Sequence, residues 1–199
     1  MTDATRKLVF LAGFAAYVVI RGVYEARCKG QARVQGGADA IERALLVLVT
    51  VGCLLLPVLY LATPWLGFAD YALPAPVAWI GVTLMLAALW LFRRAHADLG
   101  TNWSVTLELH RGHQLVRHGV YRAVRHPMYA AIWLFSLAQG LLLQNWLAGW
   151  SAVVAFGLMY CVRVPREERL MRKAFGQQYA DYERQTGRLL PRLRVDQRP

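Results

Sequence analysis

Two acidic residues in the second half of the sequence stand where a small charged molecule could bind. Glu167 and Glu168 follow a long apolar run, and Arg163 precedes Glu167 by one helical turn. Residues four apart lie on the same side of a helix, so Arg163 and Glu167 would present opposite charges to one region. Acids gain nothing from an anionic membrane surface, whereas they bind cationic groups. The pattern predicts a site for a zwitterion or for two oppositely charged partners.

A second cluster lies upstream, where the sequence RHPMY at 125–129 begins another apolar run. Pro127 disfavours helical geometry at His126 and suits the first turn of a helix. His126 is therefore expected at a helix N-terminus, where the helix dipole favours an anionic group. Anchoring at the membrane boundary is the alternative, because boundaries favour residues such as Tyr121 and Tyr129.

Histidines at 110, 113, 118 and 126 raise the question of a metal site. Such a site needs three or four converging ligands, usually with an acid or a cysteine among them. Glycines at 112 and 119 interrupt the run, so these histidines do not share one helix face. No metal site is expected, and the cysteines at 28, 53 and 161 are too far apart for a zinc or redox motif.

The composition excludes an ordinary soluble enzyme and a disordered chain. The 199 residues are 57% hydrophobic and 18% charged, with a net charge of +11. Soluble domains carry about 25% charged residues, and disordered chains carry few apolar ones. An integral membrane protein fits both values.

Long uncharged runs predict where the chain spans the membrane. Residues 44–69 and 71–92 are uncharged over 26 and 22 residues, and a helix needs about 20 to cross the hydrocarbon core. Residues 127–162 are uncharged over 36, which is too long for one helix and suits a hairpin of two. The natural break is Leu143-Gln144-Asn145-Trp146, and the hairpin brings the total to four spans.

A further apolar run at 8–20 follows two basic residues, as in a signal peptide. The segment after it offers no cleavage site of small residues. We interpret it as a first helix that extends to about Arg27, with Arg21 and Glu25 paired on its surface. The sequence therefore predicts five transmembrane helices.

Basic residues are distributed unevenly between the runs. Segments 21–43, 93–125 and 163–199 carry five, six and ten Lys and Arg residues, whereas 67–76 and 144–147 carry none. The positive-inside rule places the three basic segments in the cytoplasm, with the N-terminus outside and the C-terminus inside. Because the positive charge is concentrated on one membrane face, anionic lipid is the expected partner and nucleic acid is not.

Two short amphipathic helices are predicted after the last span. Leu170 and Phe175 lie on one side of the first, Gly176 can cap its end, and the second includes Tyr179 and Tyr182. Simple binding of this tail to anionic lipid is the alternative. The predicted fold class is an all-α integral membrane protein with about five transmembrane helices and cytoplasmic C-terminal amphipathic helices.

The two clusters, in this order, resemble the isoprenylcysteine carboxyl methyltransferases and the wider group of membrane phospholipid-type methyltransferases. The resemblance covers roughly residues 100–191. Its marks are His113-x-Leu115-Val116, Gly119-Val120-Tyr121, Arg125-His126-Pro127-x-Tyr129, a two-span hairpin, Glu167-Glu168, Phe175-Gly176 and Tyr179-x-x-Tyr182. It implies one methyltransferase domain over 1–199, with N-terminal spans in 1–96 and a cofactor-binding catalytic half in 97–199.

The resemblance also implies a methyl donor, S-adenosyl-L-methionine, and a lipophilic acceptor that reaches the site from the bilayer. The positions that match the family's cofactor contacts are His113, Gln114, Leu115, Val116, Tyr121, His126, Pro127, Met128, Tyr129 and Glu167. Glu167 suits the ammonium of the donor, and His126 suits its carboxylate. Arg163 matches an arginine that the family uses toward the acceptor carboxylate, which makes it the expected catalytic and substrate-binding residue.

Two departures from the family pattern leave the acceptor open. Arg184-Gln185-Thr186-Gly187 stands where the family has a basic pair, and no glutamine stands near Thr106 to match an upstream glutamine of the eukaryotic enzymes. A small lipophilic carboxylic acid, thiol or amine is as plausible as a prenylcysteine. The Ala- and Arg-rich composition suggests a bacterial inner membrane.

Two other classes of function remain open from the sequence. Some membrane sterol-type reductases share the C-terminal architecture and bind NADPH, and Arg111, Arg117 and Arg122 could bind its 2′-phosphate. A transporter or scaffold without catalysis is the other class. The interiors of spans two to five carry no charged residue or histidine, whereas ion and proton pathways normally contain one.

Overall fold

A computed structural model describes residues 1–28, 33–36, 39–100, 108–110 and 114–192. Within these ranges the helices are α1 (Asp3–Cys28), α2 (Ala40–Thr50), α3 (Leu56–Ala62), α4 (Ala75–Leu99), α5 (Pro127–Leu143), α6 (Trp146–Phe175) and α7 (Gln177–Gln185). A π-helical turn, Val51–Leu55, joins α2 to α3. A strand β1 (Arg33–Gly36) pairs antiparallel with β2 (Glu108–His110).

Four helical segments are long and apolar enough to cross a membrane: Asp3–Arg27, Ala40–Ala62, Ala75–Leu99 and Trp146–Phe175. The fifth apolar helix, α5, has 17 residues, a length of about 26 Å that lies at the short end for a span. The prediction of an all-α integral membrane protein is confirmed, with four helices that meet the length of a span and α5 as a shorter fifth apolar helix. The predicted pairing of Arg21 with Glu25 on α1 is also present, at 3.9 Å.

Two helices differ in extent from the uncharged runs that predicted them. The second span ends at Ala62 because Thr63 is extended and Pro64 follows it. The third begins at Ala75 and continues through charged residues to Leu99. An uncharged run indicates which residues lie in the hydrocarbon core of the membrane. The residues at which a helix begins and ends depend instead on prolines and capping residues.

The predicted break in the hairpin is confirmed at Gln144 and Asn145. Gln144 adopts a left-handed conformation with φ of 50°, and the Asn145 side chain caps α6 by accepting from the backbone N–H groups of Leu147 and Ala148. The Asn145 amide also donates to Asp70 at 2.8 Å. This turn is therefore fixed to the loop before α4.

Helix α6 continues past the predicted end of the fifth span. Pro165 lies inside it without ending it, and the helix closes at Gly176, whose φ is 50°. The first predicted amphipathic helix is thus the last part of α6. The predicted cap at Gly176 is confirmed, and α7 is the second amphipathic helix.

The N-terminal helices pack on different sides of the hairpin. Helix α1 packs against α4 and α5, where the Tyr17 and Phe92 rings stack at 4.3 Å. Helix α2 and the π turn pack against α6, and a Cβ on Gly52 would lie 2.8 Å from the Ser151 carbonyl. The Gln139 amide donates to the Gly52 carbonyl at 3.0 Å. Because α1 packs against α4 and α5 whereas α2 packs against α6, a space remains between α1 and α2.

Residues 177–192, which we call the C-terminal cap, fold back over the start of α5. The backbone N–H groups of Arg125 and His126 donate to the carbonyls of Gly187 and Arg188 at 2.8 and 3.0 Å. The Tyr182 hydroxyl donates to the Tyr121 carbonyl at 2.7 Å. These bonds hold the cap against the segment that carries the second sequence cluster.

Candidate active site

A cavity of about 410 Å³ lies between α1, α2, α5, α6 and the C-terminal cap. The predicted site residues that line it are Gln114, Leu115, Val116, Tyr121, His126, Met128, Tyr129, Arg163 and Glu167. Pro127 is buried in the first turn of α5, and His113 lies outside the described residues. The structure thus brings both sequence clusters to one space of a size that holds a small ligand.

Glu167 presents its carboxylate to this cavity. The Tyr129 hydroxyl donates to Glu167 Oε2 at 2.7 Å, from the first turn of α5 to the last turns of α6. A hydrogen bond to a charged group is stronger than one between neutral groups and fixes the carboxylate in place. One side of the cavity therefore holds a fixed negative charge.

His126 lies between the two acids. It stands at the N-terminus of α5 as predicted, with Pro127 in the first turn. Its side chain is 4% exposed, with Nε2 at 3.2 Å from Glu168 and Nδ1 at 3.7 Å from Glu167. Both ring nitrogens thus face carboxylates, so the imidazole is less available to an anion than its position in the sequence indicates.

Glu168 binds basic side chains from other parts of the protein, and the sequence alone did not predict these contacts. The residue is 1% exposed, and Arg188 donates to its two oxygens at 3.0 and 2.6 Å. Arg125 Nε lies 3.5 Å from the same carboxylate. Arg188 belongs to the C-terminal cap, so Glu168 ties the cap to α6 and to the start of α5.

Arg163 is paired with a residue from the first half of the chain. Its Nη1 lies 3.3 Å from Oε1 of Glu42 on α2, and both side chains are largely buried. One turn away on both helices, Arg166 donates to Asp39 at 2.9 Å. Only the two negative charges at the start of α2 could have indicated these pairs, because nothing in the sequence links them to α6.

Two buried tyrosines shape the boundary between the cavity and the cap. Burial raises the pKa of Tyr121 well above its ordinary value, and it raises the pKa of Tyr182 to about 12. Both phenols therefore stay neutral at physiological pH. Their rings offer aromatic faces for a planar or cationic group.

A tight turn presents Tyr121 to the cavity. Gly119 has φ of 56°, and Asp98 on α4 accepts from the next backbone N–H, that of Val120, at 2.9 Å. A Cβ on Gly119 would lie 2.0 Å from the Asp98 carboxylate. The position thus requires glycine for conformation and for space.

The rest of the cavity is apolar and comes from the N-terminal helices and α5. These walls are formed by Phe14, Tyr17, Val18, Leu46, Val49, Cys53, Leu54, Ile132 and Phe135. Val18 on α1 is half exposed, and Thr50 on α2 is exposed, so the wall reaches the lateral surface of the bundle. The cavity thus has two parts: a charged end, lined by His126, Arg163 and Glu167, and an apolar chamber, lined by the apolar residues listed above. Such a cavity suits an amphiphile bound beside a polar ligand.

A comparison with protein families finds that the model of the phospholipid methyltransferase family matches residues 77–178. A probable protein-S-isoprenylcysteine O-methyltransferase of Oryza sativa subsp. indica is 26% identical over 117 residues, 58% of this chain and 61% of that one. Protein-S-isoprenylcysteine O-methyltransferase of Tribolium castaneum is 32% identical over 114 residues, 56% of this chain and 41% of that one. The match spans at most about three fifths of these relatives.

Among solved structures, the eukaryotic intramembrane Ras methyltransferase ICMT (isoprenylcysteine carboxyl methyltransferase) superimposes with a TM-score of 0.52. It is 28% identical, and the alignment covers 75% of this chain and 50% of that one. The likeness agrees with an integral membrane protein built of helices. The family match covers half of the chain, from the start of α4 to the first residues of α7, and on this basis the protein belongs to the phospholipid methyltransferase family.

Proposed function

We propose that the protein is an integral membrane methyltransferase that uses S-adenosyl-L-methionine and acts on a lipophilic acceptor. One observation carries the proposal: residues that match the family's cofactor contacts, distant in sequence, line one cavity together with Glu167. The cavity has a charged end for a soluble donor and an apolar chamber for a lipid-like acceptor. A single space that receives both reactants is what a group transfer requires.

The charged end fits the donor, which carries two positive groups and one negative group. We assign its ammonium to Glu167, whose carboxylate is held by Tyr129. We propose that His126 forms part of the wall around the donor and is not a partner of its carboxylate, because both ring nitrogens face acids. We assign the aromatic base of the donor to the faces of Tyr121 and Tyr129. Gln114, Leu115, Val116 and Met128 would complete the walls, and His113 is proposed beside them on the family resemblance.

When bound, the donor supplies a methyl group activated on a positively charged sulfur. The protein's own contribution is to orient the two reactants and to keep water out. The C-terminal cap serves both tasks, because Tyr182 and Arg188 hold it over the donor end. Arg163 stands where the charged end meets the apolar chamber, and we assign it to the acceptor side.

The acceptor would reach the site from the bilayer between α1 and α2. The apolar walls there are contributed by residues such as Phe14, Val18 and Leu46. A molecule with a hydrocarbon chain gains about 25 cal/mol for each square ångström of apolar surface that it buries. Membrane lipids or a small lipophilic molecule are thus the expected partners.

The two other classes of function find less support. Arg117 and Arg122, proposed for the phosphate of NADPH, are exposed on the surface, and neither lines the described cavity. Arg111 lies outside the described residues. The match to the phospholipid methyltransferase family also supports methyl transfer over transport or a scaffold role.

Calorimetry on the purified protein in detergent tests the proposal. S-adenosylhomocysteine, the demethylated donor, should bind, and NADPH should not. Glu167→Gln should weaken the binding by about 10- to 150-fold, the equivalent of one charged hydrogen bond. Asp3→Asn, which changes an exposed acid at the start of α1 that does not line the described cavity, is the matched control and should bind as wild type does. Failure of the wild-type protein to bind S-adenosylhomocysteine would refute the function.

We further propose that the protein resides in a bacterial inner membrane with its charged site facing the cytoplasm. The support is the excess of Lys and Arg in 93–125 and 163–199 over the uncharged loops. A periplasm-dependent reporter fused after residue 199 should be inactive, and a fluorescent reporter that folds in the cytoplasm should be active. The reverse pattern would contradict the orientation.

A further inference from the structure

Each arginine that lines the described cavity stands beside a carboxylate. Arg163 lies 3.3 Å from Glu42, Arg125 lies 3.5 Å from Glu168, and Arg21 lies 3.9 Å from Glu25. His126 likewise faces two acids. The cations around this space are therefore already compensated by the protein's own acids.

Glu42 lies beside Arg163, the residue that we assign to the acceptor. It comes from α2, which forms the apolar chamber, and it pairs with Arg163, which lines the cavity at the junction with the charged end. The residue is 6% exposed. We infer that Glu42 is a specificity-determining residue that disfavours carboxylate acceptors and selects an uncharged acceptor group such as a thiol, an alcohol or a neutral amine. This inference rests on the proposed function and deepens it.

The physical reason is repulsion between like charges. A carboxylate that approached Arg163 would stand close to Glu42 across the same guanidinium. Two carboxylates within a few ångströms repel strongly in partly buried surroundings, where water screens them poorly. Displacing Glu42 instead would leave a buried acid without its charged partner, which is also unfavourable. An uncharged acceptor group meets neither difficulty.

The structure also keeps Glu42 from moving aside. Asp39 caps α2 by accepting from the Glu42 backbone N–H at 2.7 Å, and its second oxygen accepts from Arg166 at 2.9 Å. Two ion pairs one turn apart thus hold the start of α2 against α6. Glu42 is fixed at the backbone as well as at its side chain, so its charge stays beside Arg163, which lines the cavity.

Two amphiphiles of equal chain length, 1-dodecanol and dodecanoate, test the inference on the full-length protein in lipid nanodiscs. Their binding is measured by equilibrium dialysis, with empty nanodiscs subtracted, both with and without S-adenosylhomocysteine. The wild-type protein should bind dodecanol at least about 10-fold more tightly than dodecanoate, since one close charge pair is worth more than a factor of ten.

Two variants locate the effect. Glu42→Gln should raise dodecanoate affinity by about 10-fold or more and change dodecanol affinity less than about two-fold. Asp3→Asn removes a negative charge from the start of α1, is a matched control because Asp3 does not line the described cavity, and should leave both affinities as in wild type.

The inference is overturned if wild type binds the two amphiphiles equally, binds neither, or if folded Glu42→Gln keeps the wild-type preference. Should Glu42→Gln fail to fold, Glu42→Met, which also removes the charge and keeps the length of the side chain, is measured in its place. Binding of S-adenosylhomocysteine is measured in the same samples and reports on the proposed function. If the wild-type protein does not bind S-adenosylhomocysteine, the proposed function is refuted. The ratio of dodecanol affinity to dodecanoate affinity would still report the selectivity of the apolar chamber.

Discussion

The hydroxyl of Tyr129, at the start of α5, donates a hydrogen bond of 2.7 Å to the carboxylate of Glu167, near the end of α6. The two residues belong to opposite arms of the hairpin, and both line the cavity. The bond thus fixes the acid in the cavity through a residue of the other helix of the hairpin. Glu167 is less mobile than an acid that faced water alone.

This bond predicts the effect of Tyr129→Phe. The variant keeps the ring and removes the donor, so the Glu167 carboxylate should lose its fixed orientation. We expect S-adenosylhomocysteine to bind about 10-fold more weakly, near the lower end for a charged hydrogen bond. Tyr71→Phe, in the loop before α4 and outside the described cavity lining, is the control and should bind normally by calorimetry. Equal binding by both variants would show that Tyr129 does not position Glu167.

Glu168 is predicted to stabilise the fold through the C-terminal cap. Glu168→Gln leaves Arg188, Arg125 and His126 around a neutral amide, and breaking a buried ion pair costs about 3–5 kcal/mol. Thermal unfolding in detergent should therefore occur at a clearly lower temperature. Asp181→Asn, which removes a half-exposed acid from the cap, should unfold as wild type does. The prediction is wrong if the two variants unfold at the same temperature.

The turn at Gly119 predicts a contrast between two glycines. Gly119→Ala should destabilise the protein, because a left-handed conformation costs an L residue about 1–2 kcal/mol and the new methyl would collide with Asp98. Gly22→Ala in α1 meets no atom within 4 Å. Alanine favours helices by about 0.5–1 kcal/mol over glycine, so this change should be neutral or stabilising. Equal unfolding temperatures would disprove the steric role of Gly119.

The pair of Glu42 and Arg163 predicts a coupling between two substitutions. Arg163→Gln should lower stability by leaving Glu42 buried beside a neutral group, and it should leave donor affinity unchanged. The double variant with Glu42→Gln should recover part of the loss, with a coupling of about 0.5–3 kcal/mol. The exposed pair of Asp39 and Arg166 should show a smaller coupling in the same unfolding experiment. Additive losses for the buried pair would mean that the two residues do not interact.

The sequence predicts those parts of the fold that depend on local chemistry. The break at Gln144, the place of Pro127 in a first turn and the cap at Gly176 all follow from residue types and run lengths, and the structure confirms them. The match of 114–116, 121 and 126–129 to a family pattern also predicts side chains that meet in one cavity, and all of these except Pro127 line it. The ligands assigned to these residues remain predictions.

Contacts between distant parts of the chain lie beyond such reasoning. Nothing near Glu42 indicates that it meets Arg163, and nothing near Arg188 indicates that it meets Glu168. Each pair depends on how helices pack, and a charge at the edge of an apolar run has the same appearance whether it faces lipid headgroups or another helix. For this reason the sequence alone could not show that the arginine assigned to the acceptor is already paired.

The pairing of residues 124 and 187 imposes an order on biosynthesis. The first partner is made before α5 and α6, and the second is made after both of these helices and α7. The ribosome must therefore synthesise both helices of the hairpin before residue 187 exists to pair with residue 124. Apolar helices can enter the bilayer as they are made, whereas closure of the chamber is a late event. A ribosome that stalls after α6 would leave a protein that is inserted but still open.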